Sequence, residues 1–390
     1  MKDRKVNVAL IGYKFMGKAH SNAYVGATHF FDLPLTPVLH TLVGRDRNAV
    51  AAVAKKWGWV NYDTDYRRIV ENKEIDLVDV GTPNDSHAEI SIAAADAGKA
   101  VACEKPLSMN VAEAKAMVKA VKKNKVPNYV WFNYRRVPAL SLARELISEG
   151  RLGKIYHVRA VYLQDWIMDP NFPLVWRLRK KFAGSGSHGD LNAHLIDLAR
   201  FLLGTEFDEV CGLAETFIKE RPMEVSGGGL AAGKAAKKKG VVDVDDAVLF
   251  LAKFQNGAVG TFEATRFAKG RRNGNQIEIN GSKGTIVFNF ERMNELQFFD
   301  DTLPKKEQGF RTILATEAVH PYIHGYWPPG HIIGYEHTFI NTVVDIMNHL
   351  SGKMKTFHAD FEDGLRCQEV LDAVLLSGKE RTWVRIREVA

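Results

Sequence analysis

The sequence is poor in cysteine. Cys103, Cys211 and Cys367 are the only three in 390 residues, far apart and without CxxC spacing. That excludes a disulfide scaffold and a zinc ribbon. No apolar run is long enough to cross a bilayer. The N-terminus passes from Lys2, Asp3, Arg4 and Lys5 directly into the short apolar stretch 6–11, without the hydrophobic region and cleavage site of a signal peptide. A reducing cytoplasm is therefore the expected location. No zinc-finger, RRM or helix-turn-helix signature accompanies the formal net charge of +7, so a nucleic-acid partner is not expected. Lys234, Lys237, Lys238 and Lys239 lie in a Gly/Ala/Lys stretch, 227–240, without apolar periodicity, which reads as a solvated loop. What is present is ordinary globular composition, 46% hydrophobic and 25% charged, over a length that favours two domains.

Residues 6–11 read as a buried strand, followed by Gly12, Tyr13, Lys14, Phe15, Met16 and Gly17 and then a helical pattern. A strand, a glycine turn and a helix start make a dinucleotide fingerprint: the helix N-terminus offers free amides and a positive dipole end to a pyrophosphate. Lys14 stands at the second glycine position, where its ammonium can itself meet a phosphate. A second strand, 37–43, ends at Gly44, Arg45 and Asp46. An acid there takes adenosine ribose hydroxyls and a base takes a 2′-phosphate; both kinds are present, so NAD and NADP stay open at this point.

Helices are expected at 48–57 and 63–70, a strand at 75–80, a helix at 88–97, a strand at 100–103, a helix at 111–123 and a sixth strand at 129–133. This alternation predicts a parallel doubly wound sheet, with ligands beyond the carboxyl ends of its strands. Thr82, Pro83, Asn84 and His87, and then Glu104, Lys105 and Pro106, fall at those ends. A lysine held there suits acid-base work on a carbinol oxygen.

Gly184, Gly186 and Gly189 with Ser185 and Ser187 lead into a helix with Leu191, Leu195, Leu198 and Leu202 on one stripe,. Asp190 and His194, four apart, point the same way. The pair suits holding a hydroxyl while one partner takes its proton, and the same pattern fits a capping Asp followed by a buried, satisfied His. The strand signal at 153–163 runs into Gln164, Asp165, Trp166 and, further on, Trp176 and Arg177. Aromatic faces interleaved with polar ends suit a sugar, and equally a sheet core with a polar surface. Strands at 247–254 and 259–265 and a hairpin at 276–288 predict a mostly antiparallel sheet. His320, His324 and His331 stand in a proline-stiffened aromatic loop. Without a third close ligand this loop reads as a substrate-site wall with His331 as the contact, and no metal is expected. Helices at 336–350 and 363–377 and a strand at 382–386 close the chain.

Taken together, the glycine turn, Thr82-Pro83-Asn84 with His87, Glu104-Lys105-Pro106, and Asp190 followed by His194 resemble the Gfo/Idh/MocA oxidoreductases across essentially the whole chain. The resemblance implies an α/β Rossmann domain, 1–133, and an α+β domain, 134–390, with a large, mostly antiparallel sheet for substrate binding and oligomerisation. The final helix and strand are free to pack back toward the Rossmann domain. It further implies Lys105, Asp190 and His194 as catalytic residues. Gly12, Tyr13, Phe15, Met16, Gly17, Arg45, Asp46, Thr82, Pro83, Asn84, His87, Glu104 and Lys105 would bind the cofactor. Tyr134, Arg135, Tyr162, Gln164, Trp166, Trp176, Arg177, Asp190, His194 and His331 would bind the substrate. Within the family the likeness is to sugar dehydrogenases that oxidise the C3 hydroxyl of an anhydrosugar or glycoside, which favours NAD. The family also implies a homodimer or homotetramer. Two alternatives come with the family: glycoside cleavage with retained NAD, and a cofactor-sensing regulator without catalysis, against which the intact Lys105, Asp190 and His194 speak. A metal-dependent alcohol dehydrogenase built on His188, Asp190 and His194 is a further alternative.

Overall fold

The structure is a computed structural model that describes residues 4–224 and 235–389. The chain divides into two compact units, Met1–Asn133 with Gly334–Leu365, and Tyr134–Ile333 with Arg366–Ala390.

In the first unit β1 (Lys5–Ile11), α1 (Phe15–Phe30), β2 (Thr36–Val43), α2 (Arg47–Trp57), β3 (Asn61–Asp63), α3 (Tyr66–Glu71), β4 (Leu77–Val80), α4 (His87–Asp96), β5 (Ala100–Cys103), α5 (Val111–Asn124) and β6 (Asn128–Val130) alternate. The strands form a six-stranded parallel sheet, ordered β3-β2-β1-β4-β5-β6. Val8, Ala9, Leu10, Leu77, Val78, Val80, Val101 and Ala102 are all fully or almost fully buried, as central parallel strands covered on both faces require. The expected helix at 63–70 is corrected to a short strand, β3, and then α3. Asp65 caps α3 by accepting from the Arg67 amide. The helix Tyr335–Leu350 also belongs to this unit. It packs so tightly on α1 that a Cβ on Gly26 would lie 2.6 Å from Ile340 Cδ1.

In the second unit the elements are α6 (Pro138–Ser148), β7 (Ile155–Leu163), α7 (Lys180–Ala183), α8 (Ala193–Leu203), β8 (Phe207–Glu215), β9 (Glu220–Glu224), β10 (Ala235–Val241), β11 (Ala247–Phe254), β12 (Val259–Thr265), β13 (Gly274–Gly281), β14 (Gly284–Asn289), β15 (Glu295–Asp300) and β16 (Arg311–Leu314). After α9, the helix Tyr335–Leu350, come α10 (Phe361–Glu380), within which the division between units falls, and β17 (Val384–Arg385). Nine strands form one sheet, ordered β16-β15-β14-β13-β7-β12-β11-β8-β17. Its pairs are antiparallel except β7 with β12, so the expected fold class holds for both units. One face is buried: Phe207, Phe250, Phe254 and Phe262 cluster there, with the Phe250 and Phe262 rings stacked at 4.6 Å. The other face leaves Leu213, Leu249 and Leu251 exposed. The lysine-rich stretch read as a loop is corrected in part. Lys237, Lys238 and Lys239 lie in β10, which pairs with β9, and 227–234 lie outside the described residues.

Candidate active site

The first unit carries the expected cofactor residues at the carboxyl ends of β1, β2, β4 and β5. Gly12 has φ +115°, and a Cβ there would meet Gly81 O at 2.4 Å; a Cβ on Gly17 would meet Gly12 O at 2.3 Å. Both positions therefore require glycine, and the turn brings the backbone close to whatever lies above it. α1 begins just beyond, with Lys14 at its N-cap and no side chain capping its first amides. Phe15 is exposed and Tyr13 half-buried, its ring so close to Gly44 that a Cβ there would clash. Uncapped amides, a glycine turn and a nearby lysine fit a dinucleotide pyrophosphate. At the β2 end Arg45 is exposed. Asp46 caps α2, its Oδ1 accepting from the Asn48 and Ala49 amides at 3.0 Å each.

Thr82, Pro83 and Asn84 form the turn after β4, where the Ser86 hydroxyl donates to Thr82 Oγ1 at 2.8 Å. His87 was expected to face the cofactor, and the structure corrects this. The ring is fully buried, with Nδ1 3.0 Å from Pro106 O and Nε2 3.0 Å from Thr82 O. Burial pulls its pKa down, against the two carbonyls that raise it. The buried ring lies between the turn after β4 and the Glu104-Lys105-Pro106 turn and donates its one N–H to one of these carbonyls; Lys105 is half-buried.

In the second unit Asp190 lies in a π turn, His188–Asn192, that runs directly into α8 bearing His194. The approach to this turn is locked by Asp245. Its carboxylate accepts from Gly186 N at 2.8 Å, Ser187 Oγ at 2.7 Å and His188 N at 2.8 Å. His188 is buried, with Nε2 donating to Leu371 O at 2.9 Å and Nδ1 facing the Asn192 amide at 3.0 Å. Both its ring nitrogens are engaged inside the core, and burial lowers its pKa. It is not oriented as a ligand, which removes the His188, Asp190, His194 metal site from the alternatives.

Asp190 is reached by a residue to which the sequence assigned no role. Arg266, 1% exposed, donates from Nη2 to Asp190 Oδ2 at 2.7 Å, while its guanidinium lies 5.2 Å from the Trp166 ring centre. His194 stacks on Tyr134, centroids 4.2 Å apart. From Tyr134 a chain of bonds leads outward. Its hydroxyl meets Tyr162 OH at 2.8 Å, Tyr162 OH donates to Asn273 Oδ1 at 2.8 Å, Gln164 donates to the same oxygen at 3.0 Å, and Trp166 Nε1 donates to Gln164 Oε1 at 2.9 Å. Six of the expected substrate residues, Tyr134, Tyr162, Gln164, Trp166, Asp190 and His194, are thus gathered. Asn273 was missed because it follows Arg271 and Arg272 in a loop-like stretch with no aromatic signal.

Four others, Arg135, Trp176, Arg177 and His331, lie outside this chain of bonds. Arg135 is 4% exposed and grips Asp197, also buried, with Nε at 2.9 Å and Nη2 at 2.6 Å. That corrects it from substrate contact to scaffold. Trp176 is half-buried with the Arg177 guanidinium 4.3 Å over its ring. His331 is exposed, its Nδ1 turned back to Pro328 O at 2.9 Å, and takes no part in the chain of bonds.

These features agree with known proteins. The profile of the oxidoreductase family with an NAD-binding Rossmann fold matches residues 6–132, and that of the GFO/IDH/MocA C-terminal domain matches 140–287. Levoglucosan dehydrogenase from Pseudarthrobacter phenanthrenivorans is 44% identical over 392 residues, spanning 99% of this chain and 100% of that protein. Among solved structures, an oxidoreductase domain protein from Kribbella flavida superposes with TM-score 0.93 at 52% identity, over 98% of this chain and 99% of that one. Levoglucosan dehydrogenase in complex with NADH and levoglucosan superposes with TM-score 0.92 at 43% identity, with the same coverage of each chain. Near-complete likeness at these identities, with both family profiles in order, makes this chain a member of the Gfo/Idh/MocA oxidoreductases, carrying that family's NAD-binding Rossmann domain.

Proposed function

We propose that the protein is an NAD-dependent dehydrogenase of a pyranose-type anhydrosugar or glycoside, oxidising a secondary carbinol, with C3 as the position. Full-length likeness to a levoglucosan dehydrogenase supports the substrate class. The observation that carries the chemistry is the Asp190 and His194 pair, set beside stacked Tyr134 and the hydroxyl and amide groups of Tyr162, Gln164 and Asn273. Aromatic rings with convergent polar groups suit a sugar's C–H face and its hydroxyls.

The catalytic set is Lys105, Asp190 and His194. Bound NAD supplies the hydride acceptor. His194, its ring plane held against Tyr134, takes the hydroxyl proton. Asp190, paired with Arg266, is kept as a carboxylate that accepts a substrate hydrogen bond,. Lys105 supplies acid-base work on a carbinol oxygen. Leu213, Leu249 and Leu251 on the open sheet face support self-association as a homodimer or homotetramer,.

The test follows reduced-nicotinamide absorbance with NAD or NADP and a panel of levoglucosan, glucose, methyl glucosides, aryl glycosides and myo-inositol, with oxidised product mapped by NMR. Turnover of an anhydrosugar at C3, abolished in a folded Lys105→Ala variant, is the expected result. Aglycone release without net NADH would move the reading to glycoside cleavage, and cofactor binding without any turnover to a regulator.

A further inference from the structure

A cluster of buried ionisable groups in the first unit has no part in the chemistry assigned so far. His20, on α1, is fully buried. Its Nδ1 lies 3.0 Å from Asp79 Oδ2 and its Nε2 3.0 Å from Glu104 Oε1. A neutral imidazole has one N–H; only the imidazolium donates to two carboxylates at once. Asp79, the next-to-last residue of β4, also accepts from Tyr24 OH at 2.9 Å and Trp131 Nε1 at 2.8 Å. The Trp131 ring stacks on His20 at 4.0 Å. Glu104, directly after β5, uses its second oxygen, Oε2, to accept the backbone N–H of Lys105 at 3.1 Å.

We propose that His20 is a positioning residue for Lys105: by bridging Asp79 to Glu104 it fixes the carboxylate that holds the Lys105 backbone, and sets the charge that this lysine feels. The proposal rests on the reading of Lys105 as catalytic. Three observations support it. The cluster sits at the carboxyl ends of β4 and β5, where a doubly wound sheet places its chemistry. A core that needed only stability would be served as well by apolar side chains, because desolvating two carboxylates and an imidazolium offsets most of their attraction. Every hydrogen-bonding atom of the bridge is engaged, and the last bond of the series ends on Lys105 itself. With both carboxylates ionised and His20 charged, the cluster carries one net negative charge; replacing His20 by a neutral residue changes that charge and frees Glu104.

The other titratable groups around the cluster are Tyr24 and Cys103, both pushed up by burial, and His87, pulled down by burial although Glu104 raises it. Burial opposes the charge on His20, yet Asp79 and then Glu104 outweigh it and raise its pKa to about 9.

The experiment compares wild type, His20→Gln and Glu104→Gln, each checked for folding by thermal unfolding and for NADH affinity by fluorescence titration. Reductive 13C-methylation gives lysine signals, with Lys105 assigned by its loss in Lys105→Ala. In both variants the Lys105 signal should move, while the other lysine signals stay put. This readout needs no substrate, so it stands even if the proposed reaction fails. In turnover, kcat of His20→Gln should fall tenfold or more with KM and NADH affinity within threefold. An unmoved Lys105 signal in folded variants overturns the proposal, as does an unchanged kcat in folded His20→Gln. Should His20→Gln not fold, Glu104→Gln, which keeps shape and removes charge, carries the Lys105-signal arm.

Discussion

Replacing Arg135 by methionine separates a scaffold role from a substrate role. The guanidinium contacts Asp197 through Nε at 3.1 and 2.9 Å and Nη2 at 2.6 Å, with side-chain exposures of 4% and 2%, and lies 5.2 Å from the Phe201 ring centre. Methionine can keep the ring contact but leaves a buried carboxylate without its cation. Removing one partner of such a pair costs about 3–5 kcal/mol. For a unit of this size each kcal/mol lowers Tm by roughly 2–4 °C, so Arg135→Met should melt about 6–20 °C lower. The double variant Arg135→Met/Asp197→Leu should recover most of that loss, since an apolar pair of similar volume is often neutral against a buried ion pair. The assay is thermal unfolding of the four members of the cycle, with KM for the sugar measured well below the lowest Tm. An unchanged Tm with a KM raised tenfold would refute the assignment and return Arg135 to the substrate.

Three further outcomes follow from named contacts. Gly12→Ala places a Cβ 2.4 Å from Gly81 O at φ +115°; NADH affinity in a fluorescence titration should drop at least tenfold, with about 1–3 kcal/mol of strain visible in unfolding. Asp245→Ala strips the acceptor from Gly186 N, Ser187 Oγ and His188 N. Stranding such buried donors costs about 1–3 kcal/mol each, and hydrogen exchange at 186–190 should accelerate while the Rossmann sheet stays protected. The third concerns pH. With a folded pKa of about 9 against 6.5, His20 contributes stability in full below pH 6.5 and loses it as pH rises through 9, at most about 3 kcal/mol. Urea unfolding at pH 6.5 and 9.5 should show a fall in wild type that is absent from His20→Gln; parallel pH dependence in both would contradict the charge assignment.

Most of the first unit was legible because a parallel sheet writes itself as short apolar runs ended by glycine turns; 100–103 coincides with β5 and 111–123 falls one residue short of α5. β3 was hidden because a three-residue strand carrying an exposed Tyr62 has no period to detect. The π turn was hidden because the hydrophobic stripe of 191–202 continues through it. Among candidate site residues, Asp190 and His194 were marked by their four-residue spacing together with the family resemblance. Arg266 and Asn273 were not, because their partners lie 76 and 111 residues away in sequence and nothing local marks a strand end as reaching them. Arg135 and His87 looked available for ligands because charge and polarity in a motif say nothing about burial. The return of α9 to the first unit was unreadable for the same reason: the fit of Gly26 to Ile340 is a matter of shape between helices, not of either helix's pattern.

That return has a consequence for how the protein is made. The first unit's residues 1–133 leave the ribosome long before Gly334–Leu365, which complete it. Tyr129 OH bonds His349 Nδ1 at 2.9 Å, and Val130 N bonds Ala359 O at 2.6 Å. At roughly 5–20 residues per second, about 200 intervening residues take roughly 10–40 s to synthesise. For that interval the nascent Rossmann sheet has the surface of α1 and the edge strand β6 uncovered, an aggregation hazard of the kind that chaperones hold in check. Slow synthesis through 134–333 would prolong this exposure, and a fragment ending at 133 would keep it permanently.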